Sequence, residues 1–175
     1  DVCSSDLPKE SFVFCSFNNS YKFMPETFAV WMRLLRQIRG SVLWLPQSNP
    51  AAMRNLKREA AAHGISEARL IFAPFAPIAG DHLARLSLAD LFLDTLPYNA
   101  HSTACDALWA GVPVLTCLGE GFAGRVAGSA LRALGMEELI THSLAEYEAL
   151  ALQLARNPSQ LAALREKMAR NRLTD

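Results

Sequence analysis

The sequence lacks an excess of charge of either sign, a long apolar run and closely paired cysteines. Its 17 basic residues equal its 17 acidic ones, so we expect no general attraction to nucleic acid or to anionic lipid. No apolar run approaches the roughly 20 residues that a membrane-spanning helix needs, and the amino terminus has no signal-peptide profile. We therefore expect neither nucleic acid nor membrane as a partner.

Cysteines are few and widely spaced. Cys3, Cys15, Cys105 and Cys117 form no C-x-x-C pair, which argues against a zinc site and against a disulfide framework. We expect them to act as small buried hydrophobic residues, because three of them lie in or beside apolar runs. A reduced, cytoplasmic setting fits this use of cysteine best.

Apolar runs alternate with helical patterns along the chain. The runs that predict strands are "SFVFCSF" (11–17), "SVLWLP" (41–46), "RLIFAPF" (69–75), "LFLDT" (91–95), "PVLTC" (113–117) and "ELIT" (138–141). The first of these has no polar alternation, which predicts burial on both faces. Strands separated by helices favour a Rossmann-like parallel sheet with helices on both faces, in a single α/β domain over residues 1–175.

Proline, glycine and capping residues mark the predicted helices. The first, over 25–40, has Pro25 in its first turn and Gly40 as its C-terminal cap. Further helices are predicted over 50–64, 80–90, 102–110 and 122–135.

The two ends of the chain are predicted to differ. Residues 1–10 are expected to be a loose lead-in, whereas residues 143–175 predict two terminal helices. A capping box, Ser143 with Glu146, precedes the first of these helices, and Asn157 caps the second.

Polar residues follow several of the predicted strands, at the edge where ligands bind in doubly wound sheets. Lys22 follows the first strand, and the alternative is a solvated loop lysine. His82 and Arg85 follow the third strand, three positions apart on one helix face, where a plain surface pair is the alternative.

The stretch "NAHSTACDALWAG" (99–111) predicts an anion-binding helix start after the fourth strand. Ser102 or Thr103 is expected to cap this helix, whose free N–H groups attract anions, above all phosphate. His101 adds another donor, and Asp106 lies near enough to reach a ribose hydroxyl. The alternative is an ordinary N-cap beside a surface histidine.

The sequence "GEGFAG" (119–124) fits the G-x-G-x-x-G pattern of dinucleotide-binding sites. It follows the fifth strand rather than the first, however, and the next strand is followed by His142 instead of an acidic residue. A nicotinamide-dependent oxidoreductase is therefore the weakest functional hypothesis.

Four segments together resemble the C-terminal catalytic half of the O-GlcNAc transferases, specifically of the bacterial members that carry tetratricopeptide repeats. They are "FCSFNNSYK", "SVLWL", "LADLFLDTLPYNAHSTACDALWAGVPVLTC" and "GEGFAGRVAGS". The resemblance runs from about Phe12 to the final helices, and the segment from Asp90 to Cys117 is its most specific part. That family has the GT-B fold, in which two Rossmann-like halves hold a nucleotide sugar in the cleft between them.

The resemblance implies a phosphate site. Lys22 would contact the diphosphate and stabilise UDP as it leaves, with Asn19 near the same phosphates. His101, Ser102 and Thr103 would cradle the phosphates, and Ser102 stands where several family members have threonine.

The resemblance also implies a nucleoside site. The backbone of Ala76, beside Pro77, would meet the uracil, with His82 and Arg85 around the base. Asp106 would hold the ribose. The chain departs from the family pattern more in this region than at the phosphates.

The implied activity is transfer of GlcNAc from UDP-GlcNAc to Ser or Thr hydroxyls of proteins, with inversion. No D-x-D triplet and no P-loop occurs, so we expect neither a metal nor another cofactor. The family's N-terminal half and repeats are expected to be absent from these 175 residues, so the chain alone would bind UDP weakly and transfer nothing. Two alternatives stay open: a nucleotide-binding module without catalysis, and a transferase that uses GDP-fucose or UDP-glucose.

Overall fold

Six short parallel strands form the sheet in the computed structural model, which describes residues 7–173. The strands are β1 (Val13–Cys15), β2 (Val42–Pro46), β3 (Leu70–Ala73), β4 (Leu91–Leu93), β5 (Val114–Cys117) and β6 (Ile140–Thr141). They are hydrogen-bonded in the order β3-β2-β1-β4-β5-β6. The chain therefore builds one side of the sheet outward from β1 to β3, and then the other side from β4 to β6.

Helices connect the strands, and two further helices form the end of the described part of the chain. They are α1 (Pro25–Gln37), α2 (Pro50–Ala62), α3 (Ala79–Leu86), α4 (Ser102–Trp109), α5 (Val126–Ala133), α6 (Leu144–Arg156) and α7 (Pro158–Asn171). Every residue of β1 is buried, although successive side chains point to opposite faces of the sheet. Both faces are therefore covered, as the unbroken apolar run predicts.

Glycines with a left-handed backbone follow helices α1 and α2. Gly40 follows α1 with a φ of +75°, and Gly64 follows α2 with a φ of +74°. Residues with a side chain rarely adopt this backbone conformation, so a glycine after a helix is a strong signal for the end of that helix. The first helix nevertheless ends at Gln37, because Ile38 already has an extended backbone, with a φ of −102° and a ψ of 91°, and Gly40 belongs to the turn that follows.

The predicted helix caps of the C-terminal part are present. The Ser143 hydroxyl accepts a hydrogen bond from the Glu146 N–H at 3.1 Å, and the Asn157 side chain accepts one from the Gln160 N–H at 3.2 Å. At the other end, residues 1–6 of the predicted lead-in lie outside the described residues.

The expectation that the cysteines are buried is correct for two of them. Cys15 and Cys117 are buried in strands, but Cys105 is exposed. Ala104, Ala107 and Leu108 form the buried face of α4, so Cys105 lies on the solvent side. Cys3 lies outside the described residues.

The order of the strands creates a crevice between β1 and β4. Phe14 pairs with Leu91 and Cys15 with Phe92, so the carboxyl ends of the two strands are neighbours. The connections that leave these ends run in opposite directions, which opens a crevice where doubly wound folds bind ligands. Within residues 7–173, none of the helices combines the length and apolar character needed to cross a bilayer.

Candidate functional site

A hollow of about 320 Å³ lies beyond the carboxyl ends of β1 and β4. Five of the residues predicted from the sequence line it: Asn19, Lys22, His101, Ser102 and Thr103. Residues that are 77 or more positions apart in the sequence thus meet in one place, as the resemblance implies. The wall between them is formed by Phe17 and Asn18 after β1, Pro46 at the end of β2, and Tyr98 after β4.

The Lys22 ammonium is held between the loops that follow β1 and β4. It donates a hydrogen bond to the Asn99 carbonyl at 3.1 Å, and it lies 4.0 Å from the centroid of the Tyr98 ring. Burial lowers the pKa of Lys22, while the negative charge of Asp94 opposes this effect. The ammonium is therefore a positioned donor at the hollow and not a solvated loop lysine.

The start of α4 lies at the same hollow, but its cap differs from the prediction. The N-cap residue is His101, and neither Ser102 nor Thr103 caps the helix, because both already belong to its first turn. The Thr103 hydroxyl instead donates to the Asn18 side chain at 3.3 Å. Since no side chain within residues 7–173 caps this end, the backbone N–H groups of Ser102 and Thr103 are available for an anion.

His101 stacks on Tyr98, with ring centroids 5.1 Å apart and an interplanar angle of 21°. Among the described residues, no partner meets its buried Nε2 atom. A buried polar atom without a partner costs about 1–3 kcal/mol, so such atoms are rare in folded proteins. A ligand that hydrogen-bonds to Nε2 would relieve this cost.

His82 and Arg85 form a second cluster beside the hollow. Arg85 is 7% exposed, so the alternative of a plain surface pair is wrong. It donates to the Pro74 carbonyl and to His82 Nδ1, which lies 3.2 Å from Arg85 Nε. Burial and the Arg85 charge lower the pKa of His82, which favours the neutral ring. Because Nδ1 accepts the hydrogen bond from Arg85, that neutral ring carries its proton on Nε2.

Phe17 joins this cluster to the hollow. It lines the hollow, its ring lies 5.1 Å from the Arg85 guanidinium carbon, and it meets the His82 ring edge-on with centroids 5.6 Å apart. Ala76 and Pro77 lie in the loop between β3 and α3, half-buried and exposed respectively.

Asp106 lies one turn into α4, half-exposed, near enough that its charge raises the pKa of His82 against the two larger effects. Helices α3 and α4 pack together, which brings Asp106 on α4 near His82 on α3. The structure thus brings five predicted residues to the hollow and gathers His82, Arg85 and Asp106 beside it, whereas Ala76 and Pro77 lie in the loop that precedes α3.

Several residues of the site are not among the sequence predictions. Tyr98 contacts both Lys22 and His101, and Asn18 donates to the Thr95 hydroxyl at 3.1 Å. Asp94 is buried at the end of β4. The sequence signal for Asp94 is a carboxylate at the end of an apolar run. A charge buried at such a position must be met by fixed hydrogen-bond donors.

The "GEGFAG" loop supports the site from the side. A Cβ atom on Gly124 would lie 2.8 Å from the Gly119 Cα and 2.9 Å from the Pro97 carbonyl oxygen. These two glycines therefore permit a close approach to the loop after β4. Gly121 has open space and a φ of −82°, so its presence, which completes the dinucleotide pattern, has no conformational reason. Within residues 7–173, no group of three or more His, Cys, Asp and Glu residues could hold a metal ion.

The hollow lies in the crevice between β1 and β4 of a doubly wound sheet, and Lys22 makes it cationic. These features define the class of α/β proteins that bind anionic ligands beyond the strand ends. The chain belongs to glycosyl transferase family 41, whose profile matches residues 3–175.

The relatives bear out the resemblance. The chain is 40% identical over 169 residues to the Arabidopsis thaliana protein named probable UDP-N-acetylglucosamine–peptide N-acetylglucosaminyltransferase SEC, covering 96% of this chain and 17% of that protein. It is 36% identical over 162 residues to the Caenorhabditis elegans UDP-N-acetylglucosamine–peptide N-acetylglucosaminyltransferase, covering 93% and 14%. The chain thus spans less than a fifth of the length of these relatives.

Solved structures agree with the fold. A mutant of the Thermobaculum terrenum O-GlcNAc transferase superposes with a TM-score of 0.87 at 33% identity, covering 94% of this chain and 34% of that one. The C-terminal CMP-Kdo binding domain of WaaA from Acinetobacter baumannii shares the fold alone, with a TM-score of 0.58 at 11% identity, covering 94% and 90%. The predicted α/β fold class and the resemblance to the C-terminal half of the O-GlcNAc transferases are confirmed.

Proposed function

We propose that this chain binds the UDP part of UDP-GlcNAc within a protein O-GlcNAc transferase, which transfers GlcNAc to Ser or Thr hydroxyls of proteins with inversion. One observation carries the proposal: Lys22, His101 and the uncapped amides of α4 meet at a single hollow. Membership of family 41 and the names of the relatives support the same donor and acceptor.

The chemistry assigned to this chain concerns the leaving group. When the bond between the anomeric carbon and the diphosphate oxygen breaks, its electron pair stays on the oxygen and negative charge grows on UDP. Lys22 and the amides of Ser102 and Thr103 are fixed donors that would meet this charge. Donors already in place need no reorganisation in the transition state, so they lower the barrier.

The nucleoside would occupy the side of the hollow formed by α3 and α4. His82 and Arg85 would surround the uracil next to the backbone of Ala76 and Pro77, and Asp106 would hold the ribose. Phe17 supports this placement, because it contacts both the hollow and the His82–Arg85 pair.

The proposal extends to cofactors and setting. Asn19, Lys22 and His101 supply neutral and cationic donors, so the diphosphate would be met by side chains and amides and not by a metal. Protein acceptors would bind outside this chain's hollow, and the free thiols of Cys15, Cys105 and Cys117 fit a cytoplasmic setting.

Calorimetry and a transfer assay on the full-length protein test the proposal. We expect UDP to bind, GDP and NADH not to bind, and UDP-GlcNAc to be a better donor than UDP-glucose or GDP-fucose. At a UDP concentration of 100 times Kd, the free energy of unfolding should rise by about 2.7 kcal/mol. Absence of UDP binding would overturn the proposal, whereas UDP binding without transfer from any of these donors would leave a nucleotide-binding module.

A further inference from the structure

Asp94 is the buried carboxylate of the described residues, 2% exposed at the end of β4. Its Oδ1 accepts hydrogen bonds from the backbone N–H groups of Thr95 at 2.8 Å and Ala100 at 2.6 Å. Its Oδ2 accepts one from the Thr116 hydroxyl on β5 at 2.7 Å. Three donors therefore converge on one side chain that lies away from solvent.

The two bonds to Oδ1 close the loop that follows β4, because they join its first and last residues to one atom. This loop carries both contacts of the Lys22 ammonium, the Asn99 carbonyl and the Tyr98 ring. His101 follows the loop directly and stacks on the same Tyr98 ring. The places of Lys22 and His101 thus depend on the shape that Asp94 gives this loop.

A second series of hydrogen bonds holds Asp94 from α6. The Tyr147 hydroxyl donates to the Asp94 carbonyl oxygen at 2.9 Å, and Trp31 Nε1 donates to the Tyr147 hydroxyl at 3.1 Å. Trp31 and Tyr147 are both fully buried. These buried residues therefore fix the main chain at Asp94, which keeps the carboxylate in position to accept hydrogen bonds from the loop.

We propose that Asp94 is a positioning residue for the phosphate site, whose ionised carboxylate holds the loop after β4 in the shape that sets Lys22 and His101 at the hollow. The inference rests on the proposed function, because it assigns Asp94 to the leaving-group chemistry of that same site. Asp94 is not part of the hollow's lining, so it acts through the loop and not on the ligand.

The ionisation of Asp94 makes this role depend on pH. Burial raises the pKa of Asp94 to about 6, against the hydrogen bonds that it accepts and the charge of Lys22. The other titratable groups near it are Tyr147 on α6 and Cys117 on β5. The ionised form is the one that accepts three hydrogen bonds, so transfer should decline as the pH falls through about 6.

Two matched threonine variants of the full-length protein test the role. Thr116→Val removes a hydrogen bond that lowers the pKa of Asp94, so the acid limb of kcat should move to higher pH. Thr141→Val removes a buried hydroxyl that donates to the Thr116 carbonyl and does not touch Asp94, so its acid limb should coincide with that of the wild type. Identical profiles for all three proteins would overturn the positioning role.

The Asp94→Asn variant gives a second, independent reading. An amide cannot accept all three bonds, so kcat at pH 8 should fall about tenfold or more while KM for UDP-GlcNAc changes less. Wild-type kcat in this variant would overturn the positioning role and leave the proposed function intact. A wild-type protein that neither binds UDP nor transfers GlcNAc would instead overturn the proposed function, and the role of Asp94 with it.

Discussion

The Nζ atom of Lys22 lies 4.0 Å from the centroid of the Tyr98 ring, on the same ring that stacks against His101. One aromatic side chain therefore touches the two cationic or potentially cationic groups of the hollow. Cation–π contacts contribute about 0.5–1 kcal/mol at exposed sites and more where water is excluded. Tyr98 thus helps to fix the geometry on which binding of an anion depends.

Replacement of Lys22 by alanine should lower kcat of the full-length protein by about 10²–10³, the usual loss when one preorganised donor to a developing negative charge is removed. Steady-state transfer from UDP-GlcNAc measures this effect. The matched control is Lys57→Ala, which removes a lysine that also lies near an aromatic ring, that of Phe72, but does not line the hollow. A Lys22→Ala enzyme with near-normal kcat would contradict the assignment.

Replacement of Tyr98 by leucine should weaken UDP binding about two- to fivefold, the equivalent of the 0.5–1 kcal/mol of a cation–π contact. Tyr98→Phe keeps the ring that faces Lys22 and His101, so calorimetry should give it the affinity of the wild type. If the phenylalanine variant binds as weakly as the leucine variant, the hydroxyl and not the ring face is what matters.

The pKa of His82 should lie below the usual value for histidine, because burial and the Arg85 charge both disfavour the imidazolium form. A pH titration of the His82 ring by NMR measures it, and Arg85→Met should raise it by removing the cation. Since the folded-state pKa is depressed, the contribution of His82 to stability is present at neutral pH. It is lost as the pH falls through the unfolded and then the folded pKa.

The matched control for this titration is Arg33→Met, which removes an exposed guanidinium that pairs with Glu148. It should leave the His82 titration unchanged. An unshifted midpoint for His82 in the wild-type protein would contradict both the burial of the ring and its contact with Arg85.

Gly124→Ala should destabilise the protein by about 1–3 kcal/mol, because the new Cβ atom would overlap backbone atoms of Gly119 and Pro97 that cannot easily move. Gly121→Ala, in the same loop, meets open space at a φ that alanine adopts. It should be neutral or stabilise by about 0.4–1 kcal/mol through the unfolded chain. Urea unfolding distinguishes the two, and equal losses would mean that the loop is packed differently.

The fold and the broad location of the site could be predicted from the sequence because both follow from local patterns. The alternation of apolar runs with helical segments predicts a parallel sheet, and a parallel sheet gathers the ends of its strands along one edge. Lys22 and His101 could therefore be assigned to a shared site although 78 residues lie between them.

Contacts that depend on tertiary packing could not be predicted in the same way. Arg85 is a buried donor because it meets the Pro74 carbonyl and the Phe17 ring, which lie elsewhere in the chain. The sequence predicts the start of α4 at Ser102 but not its cap, which is His101, so the hydroxyls of Ser102 and Thr103 do not have the capping role expected of them. The place of Asp94 depends on β5 and α6, which come later in the chain.

The hydrogen bond from Lys22 to Asn99 joins residues 77 positions apart, and β1 and β4 must be paired before it can form. No short segment of the chain can therefore acquire ligand affinity by itself. Occupancy of the hollow is therefore thermodynamically coupled to closure of the long chain loop between β1 and β4. A bound ligand would suppress the large opening motions that separate these two strands. Fraying at the outer strands β3 and β6 would continue largely unaffected.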